Sequence, residues 1–227
     1  MKNMLDDALS TLKKGQFILL HDSSHRENEV DMVISAKHTT PEHIAQMRQF
    51  AGGLICIAVD DIISENLKLQ YMHEAIHQSI IQEHKKMIYH STKYGDHPSF
   101  SMWINHVDVK TGITDFDRSL TANEMARIAE MPQSNQIRHF SKMFRMPGHV
   151  PLLKSAPNLI KNRQGHTEMS TYLLRLAKMS PVSVICEMMD PSTHRALSFE
   201  KAKKYANANQ IPILDANEIL NHSKIYA

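Results

Sequence analysis

Short apolar runs separated by segments of helical spacing are the strongest constraint in this sequence. Residues 17–20, 31–36, 54–59 and 181–188 are largely apolar runs too short for buried helices, and they read as strands buried on both faces. Between them the pattern is helical. Met4, Leu5, Ala8, Leu9 and Leu12 repeat at helix spacing and stop at Gly15, and Thr40-Pro41 opens a second helix through Ile44, Met47 and Phe50 to Gly52-Gly53. Residues 21–30 are too hydrophilic for a buried segment and read as a loop. Residues 66–98 show no period and are expected to be irregular. Residues 99–107 alternate as a strand, Thr121 to Glu124 forms a capping box for the next helix, and residues 198–208 and 215–221 read as helices around a short strand at 211–214. The implied fold is α/β (an α+β sandwich), with a mixed sheet packed between several helices. Its connections are too irregular for a simple doubly wound sheet. The chain of 227 residues, 42% of them hydrophobic, shows no repeat or Pro/Gly linker, so residues 1–227 are expected to form a single domain.

Composition excludes several classes. Lys plus Arg number 26 against 24 for Asp plus Glu, and 6% of residues are aromatic, so no nucleic-acid partner is expected. Cys56 and Cys186 form no C-x-x-C pair, which argues against a zinc cluster or a disulfide framework and for reduced thiols. No apolar run approaches the roughly 18 residues that span a bilayer, and Asp6 and Asp7 do not suit a signal peptide. A cytoplasmic protein with no membrane partner is the expectation.

Chemistry concentrates in two clusters. In Arg26-Glu27-Asn28-Glu29-Val30-Asp31, three carboxylates alternate beside a guanidinium, and an extended backbone would point all three the same way. Such a set attracts a hard divalent ion, although an exposed, solvated loop has the same composition. In Asn162-Arg163-Gln164-Gly165-His166-Thr167-Glu168, directly before a helical run, Thr167 is a candidate N-cap. Gly165 would allow close approach of an anion to free N–H groups, and Arg163 would add a bidentate contact. His166 suits a metal ligand or a proton carrier there, or a simple helix-start histidine. Weaker signals are Arg145 to His149, Thr111 to Arg118 (which also reads as a hairpin turn), and Cys186-Glu187 at a strand end.

Together these pieces resemble the 3,4-dihydroxy-2-butanone 4-phosphate synthase family. The matching motifs are R-E-N-E-x-D from Arg26, A-G-G-L-I-C from Ala51, T-G-I-T-x-x-D-R from Thr111, P-G-H-V from Pro147 and R-x-G-H-T-E from Arg163, followed by Cys186-Glu187. The resemblance implies a homodimeric enzyme of riboflavin biosynthesis. It would convert D-ribulose 5-phosphate to L-3,4-dihydroxy-2-butanone 4-phosphate and formate by metal-assisted enolisation, dehydration, skeletal rearrangement and formate release. It further implies two Mg²⁺ ions (or Mn²⁺) held by Glu27 and His166. Substrate would meet Arg26, Glu27, Asp31, Thr114, Arg145, Arg163, Gln164, Gly165, His166, Thr167 and Glu187, and catalysis would need His149, Glu187, Glu29 and Asp31. A non-catalytic phosphosugar- or metal-binding protein of the same fold is the alternative. No GTP cyclohydrolase II domain, to which family members are often fused, is recognised. The chain departs from the family where Ser23, Ser24 and His25 replace acidic residues and Val30 stands in a position often held by glycine.

Overall fold

The computed structural model describes residues 4–77, 79–90 and 92–225. Its main sheet comprises β1 (Ile18–His21), β2 (Val30–Ser35), β3 (Cys56–Val59), β4 (Phe100–His106), β5 (Phe144–Lys154) and β6 (Val182–Glu187). A small hairpin, β7 (Met189–Asp190) and β8 (Arg195–Ala196), precedes the last strand of the sheet, β9 (Ile213–Asp215). The seven strands lie in the order β4-β5-β3-β6-β2-β1-β9, antiparallel except for the parallel pairs β3–β5 and β1–β9, so the sheet is mixed as the sequence implies.

Successive side chains of a strand face opposite ways, and each central strand therefore feeds two cores. Leu19, Met32, Ile34, Ile57 and Val184 face a layer that includes α2 (Pro41–Gln46), α6 (Asp115–Ala129), α7 (Gln133–Met143) and α9 (Phe199–Asn209). Ile18, Leu20, Val33, Ala58 and Ile185 face the other layer, built from α1 (Met4–Lys13), α8 (His166–Leu176) and α10 (Ala216–Ile225). In α8, Met169, Leu173 and Leu174 are fully buried, and truncating either leucine to alanine should cost about 2–5 kcal/mol. By the same alternation Asp31 shares its face with Val33, and Glu187 shares its face with Ile185. The two acids are direct partners in the β2–β6 register. The sheet thus aims both carboxyls toward the N-terminal end of α8.

Several sequence expectations need correction. Residues 66–98 are mostly irregular but carry the short helices α4 (Met72–His77) and α5 (Lys85–Tyr89), after α3 (Asp61–Asn66). The capping box at Thr121 is not a helix start. The helix begins after Thr114, whose Oγ1 accepts from Asp117 N–H at 3.1 Å, and this takes up the segment that read as a hairpin turn. Thr121 lies mid-helix, with its hydroxyl donating to Asp117 O at 2.8 Å. Both threonines have an acid three residues on, and the earlier one, with Asp115 and Asp117 in its first turn, suits the positive end of the dipole better. Helix α7 and strand β5 had no recognised signal, since the first half of β5 is exposed and contains Pro147 and Gly148. The hydrophilic segment before β2 is also more buried than expected, with Asp22 fully enclosed.

Candidate active site

The loop between β1 and β2 is shaped by Asp22. Its Oδ2 accepts from Glu27 N–H at 2.9 Å and its Oδ1 from Glu29 N–H at 3.0 Å, so a fully buried acid is satisfied by the backbone it folds. This explains how so polar a segment can be enclosed. The left-handed residue of the loop is Asn28, at φ 55°, whereas Val30 lies in β2 paired with His21. The branched side chain at position 30 therefore imposes no backbone strain. The loop delivers Glu27 to α8, where Glu27 Oε2 lies 3.3 Å from His166 Nδ1 and Oε1 accepts from Tyr94 Oη at 2.7 Å. His166 Nε2 lies 3.3 Å from Glu29 O and 3.8 Å from Asp31 Oδ1.

Electrostatics follow from this crowding. Burial would lower the His166 pKa, but the carboxylates of Asp31, Glu27 and Asp22 outweigh it and push it up to about 10. Burial would likewise raise Glu27, yet the hydrogen bond and charge of His166, with Tyr94 and Arg26, hold it down at about 2. Burial pushes Asp31 up to about 8, opposed by His166 and reinforced by Glu187, Glu27 and Glu29. Glu29 is raised by burial and by the charges of Glu27 and Glu187. The site holds more negative charge than one imidazolium can balance, and Asp31 Oδ1 is buried with no hydrogen-bond partner. Asp22, Glu27 and His166 offer ligand atoms within 4.8 Å of one another. Both oxygens of Asp22 hold the loop backbone, whereas Glu27 and His166 are partnered mainly by each other, by Tyr94 and by Glu29 O, contacts that a cation could replace without opening the loop. This donor set, and the orphaned Asp31 oxygen beside it, fit a hard divalent ion.

The second cluster lies alongside. Gly165, not Thr167, is the N-cap of α8, and it provides no side-chain cap, so Thr167 sits inside the first turn. A β-carbon at position 165 would fall 2.3 Å from Arg163 Nη1, so glycine lets that guanidinium lie against the start of the helix. Arg163 Nη1 donates to Glu168 Oε2 at 2.7 Å, and Glu168 Oε1 accepts from Ala156 N–H at 2.9 Å. Gln164 is exposed on the turn that precedes the helix. Glu187 is fixed from the other side: its Oε2 accepts from Leu54 N–H at 2.7 Å, and its carbonyl accepts from Gly53 N–H at 3.0 Å.

Arg26, Glu27, Glu29, Asp31, Arg163, His166, Thr167 and Glu187 all line one cavity of about 500 Å³, a size suited to a small ligand. Sequence reasoning missed Lys93, Tyr94 and Ser99, which line it too, and Asp96, whose Oδ2 meets Arg26 Nη2 at 2.6 Å. Lys93, Tyr94 and Asp96 come from the aperiodic stretch, where nothing in the pattern marks them, and Ser99 from the start of the alternating segment that follows. His149, Arg145 and Thr114 do not line this cavity. They gather at the other end of the β4–β5 pair, where His149 N–H donates to Asn105 Oδ1 at 2.8 Å and His149 Nδ1 lies 3.0 Å from Asn105 Nδ2. Arg145 Nη2 donates to Val109 O at 2.8 Å, and Thr114 caps α6. His149 and Arg145 are both exposed.

Comparison with known proteins identifies the family. The family model described as 3,4-dihydroxy-2-butanone 4-phosphate synthase matches residues 6–222. Enzymes of that name from Methanosarcina acetivorans and Methanosarcina mazei are 41% and 38% identical. Those alignments cover 95% and 98% of this chain and 89% and 92% of the relatives. A solved 3,4-dihydroxy-2-butanone 4-phosphate synthase in complex with two magnesium ions is 25% identical, with a TM-score of 0.78 over 97% of this chain and 96% of its own. The synthase of Candida albicans superposes with a TM-score of 0.75 at 25% identity, covering 96% of each chain. With a family model spanning nearly its whole length and relatives at this identity, the chain belongs to the 3,4-dihydroxy-2-butanone 4-phosphate synthase family.

Proposed function

We propose that the protein converts D-ribulose 5-phosphate to L-3,4-dihydroxy-2-butanone 4-phosphate and formate, a lyase step of riboflavin biosynthesis, as a cytoplasmic homodimer. The observation that carries this is the convergence of Glu27, His166, Asp31, Glu187 and two arginines on one cavity. The sugar phosphate equals its two products in composition, so the conversion needs no oxidant or reductant. It needs proton transfers and stabilisation of negative charge next to a ketone. A divalent ion, Mg²⁺ or Mn²⁺, held by Glu27 and His166 supplies Lewis-acid stabilisation of that charge when bound. Glu187 is the proposed base that takes a proton from carbon, a role supported by its orientation by Leu54 N–H and its position beside Asp31 in the cavity. Asp31, whose pKa burial raises, is the proposed proton donor to a leaving hydroxyl, paired across the strands with Glu187. Arg26 and Arg163 take the phosphate, with the first turn of α8 next to them, and this remote binding fixes the reacting carbons.

The same reading assigns His149, Arg145 and Thr114 to the reaction through a two-fold dimer, in which the exposed end of β4–β5 would reach the cavity of the other subunit. Exposed Phe116, Met146 and Ile113 (76%, 65% and 51% exposed) beside those residues favour a covered surface there. Among the described residues no helix is long and apolar enough to cross a membrane. The direct test is to incubate the protein with ribulose 5-phosphate and Mg²⁺ and assay formate. One formate per sugar consumed, lost in EDTA and restored by Mg²⁺ or Mn²⁺, is expected. No formate at any metal concentration, or full activity in chelator, would overturn the reading.

A further inference from the structure

The segment before β4 covers the cavity with a turn that closes on itself. Thr92 Oγ1 and Thr92 N–H both donate to Asp96 O, at 2.8 and 3.1 Å, and Gly95 N–H donates to Thr92 O at 3.0 Å. Gly95 has φ +90°, and a β-carbon there would meet nothing within 4 Å, so the tip of the turn stands clear of the body. Two side chains tie it down. Tyr94 donates to Glu27 Oε1 at 2.7 Å, and the Arg26 guanidinium lies over its ring at 4.9 Å. Asp96 Oδ2 accepts from Arg26 Nη2 at 2.6 Å and forms an ion pair with Arg163 Nε at 3.3 Å.

One carboxylate oxygen thus serves two guanidiniums, and it serves them incompletely. Arg163 Nε is buried and makes no hydrogen bond, its contact with Asp96 being an ion pair only. The other attachments of the two arginines are structural, Arg26 Nη1 to Asp22 Oδ2 at 3.4 Å and Arg163 Nη1 to Glu168 Oε2 at 2.7 Å. Asp96 thus engages one further edge of each guanidinium, Nη2 of Arg26 and Nε of Arg163. While it stays, each guanidinium faces two carboxylates, and an incoming anion meets no uncompensated positive charge. A phosphate has two charges and three oxygens and can satisfy both donors together, which a single carboxylate oxygen does not.

We infer that Asp96 is an internal stand-in for the substrate phosphate: it holds Arg26 and Arg163 in place in the free protein, competes with the ligand, and is displaced with its turn when phosphate binds. This rests on the reading of Arg26 and Arg163 as the phosphate-binding residues. Asp96 is one-third exposed, 34% against 14% for Arg163, so it can leave for water at small cost.

The test is calorimetric titration of the full chain, with saturating Mg²⁺, by inorganic phosphate. Asp96→Asn should bind phosphate about five-fold more tightly than the unmodified protein, the factor matching the upper range for a partly exposed ion pair. Asp96→Ala, which also removes the hydrogen bond to Arg26, should tighten binding at least as much. Unchanged or weaker binding in both variants overturns the inference, because Asp96 would then be a fixed support of the arginines. Arg163→Gln separates the two layers of the argument. If it leaves phosphate affinity unaltered, the phosphate reading itself fails; if it weakens binding while neither Asp96 variant tightens it, the stand-in alone fails.

Discussion

Replacing Gly53 with alanine tests the placement of Glu187 without touching its carboxyl. A β-carbon built at Gly53 lies 2.4 Å from Glu187 Oε2, 2.6 Å from Glu187 O and 2.9 Å from Glu187 Cβ. Carbon and oxygen normally approach to about 3.3–3.6 Å, so the strand end must retreat by about 1 Å. Two bonds are at risk, Leu54 N–H to Oε2 at 2.7 Å and Gly53 N–H to the carbonyl at 3.0 Å. A hydrogen bond to a charged group contributes about 1.5–3 kcal/mol and a backbone bond about 1, which puts the destabilisation at about 2–4 kcal/mol. For a chain of this size each kcal/mol lowers Tm by about 2–4 °C, giving a fall of about 10 °C. A 1 Å misplacement of a reacting group costs on the order of 100-fold, so kcat should drop by about that factor with KM little changed. Differential scanning calorimetry and formate release measure the two effects. Glu187→Gln, which keeps an oxygen for Leu54 N–H, should spare Tm and lose most turnover. If Gly53→Ala loses stability yet keeps near-normal kcat, Glu187 is a structural carboxylate and the assigned role is refuted.

Glu27→Gln and His166→Ala should each abolish turnover and weaken Mn²⁺ binding, followed by electron paramagnetic resonance, by well over 10-fold, the scale set by losing even an outer-shell partner. Unaltered Mn²⁺ affinity in either variant would remove that residue from the ligand set. Arg163→Ala should raise KM for the phosphorylated sugar and also lower Tm. It leaves Glu168, whose side chain is fully buried, without its cation, and breaking a buried pair costs about 3–5 kcal/mol; an unchanged Tm would show that the pair is not formed. Mixing inactive Glu27→Gln and His149→Ala proteins should restore about a quarter of wild-type sites if the two residues come from opposite subunits. No recovery after subunit exchange, or a monomer with full activity, would sink the shared-site arrangement.

The parts of this protein legible in the sequence are those where local pattern and tertiary role coincide. α1 shows its buried stripe at Leu5, Ala8 and Leu12 and its stop at Gly15, and β2, β3 and β6 read as apolar runs because they are buried on both faces. β5 was illegible, since residues 145–149 are mostly exposed and include Pro147 and Gly148, and the strand is held by pairing with β4, a property of its neighbour. α6 was placed late because two threonines, each with an acid three residues on, compete for its N-cap, and the deciding acids Asp115 and Asp117 lie in a segment that also reads as a turn. In the site, Glu27, Asp31, Arg163 and His166 could be found because charge density is visible in one dimension. Tyr94 and Asp96 could not, since they act on Glu27 and Arg26 across 67 and 70 positions from a stretch without period. Asp22 hid for another reason: a residue that shapes a loop through backbone N–H groups looks, in sequence, like one more polar loop residue.

The cost of gathering so many acids is met by different means at each one, and this divides their functions. Asp22 is fully buried but accepts two backbone N–H groups, so it is satisfied without a cation and serves as scaffold. Glu187 is oriented by one N–H from the loop after Gly53, which fixes its direction while leaving it facing the cavity. Glu27 remains ionised because His166, Tyr94 and Arg26 outweigh its burial, and the partners that hold it are the ones an arriving ion would reorganise. Asp31 alone is fully buried beside three other carboxylates with an oxygen that nothing satisfies. A buried polar atom of that kind destabilises a fold unless a ligand or a proton completes it. The strand register that puts Asp31 opposite Glu187 therefore trades stability for a site that a cation and an anionic sugar can complete.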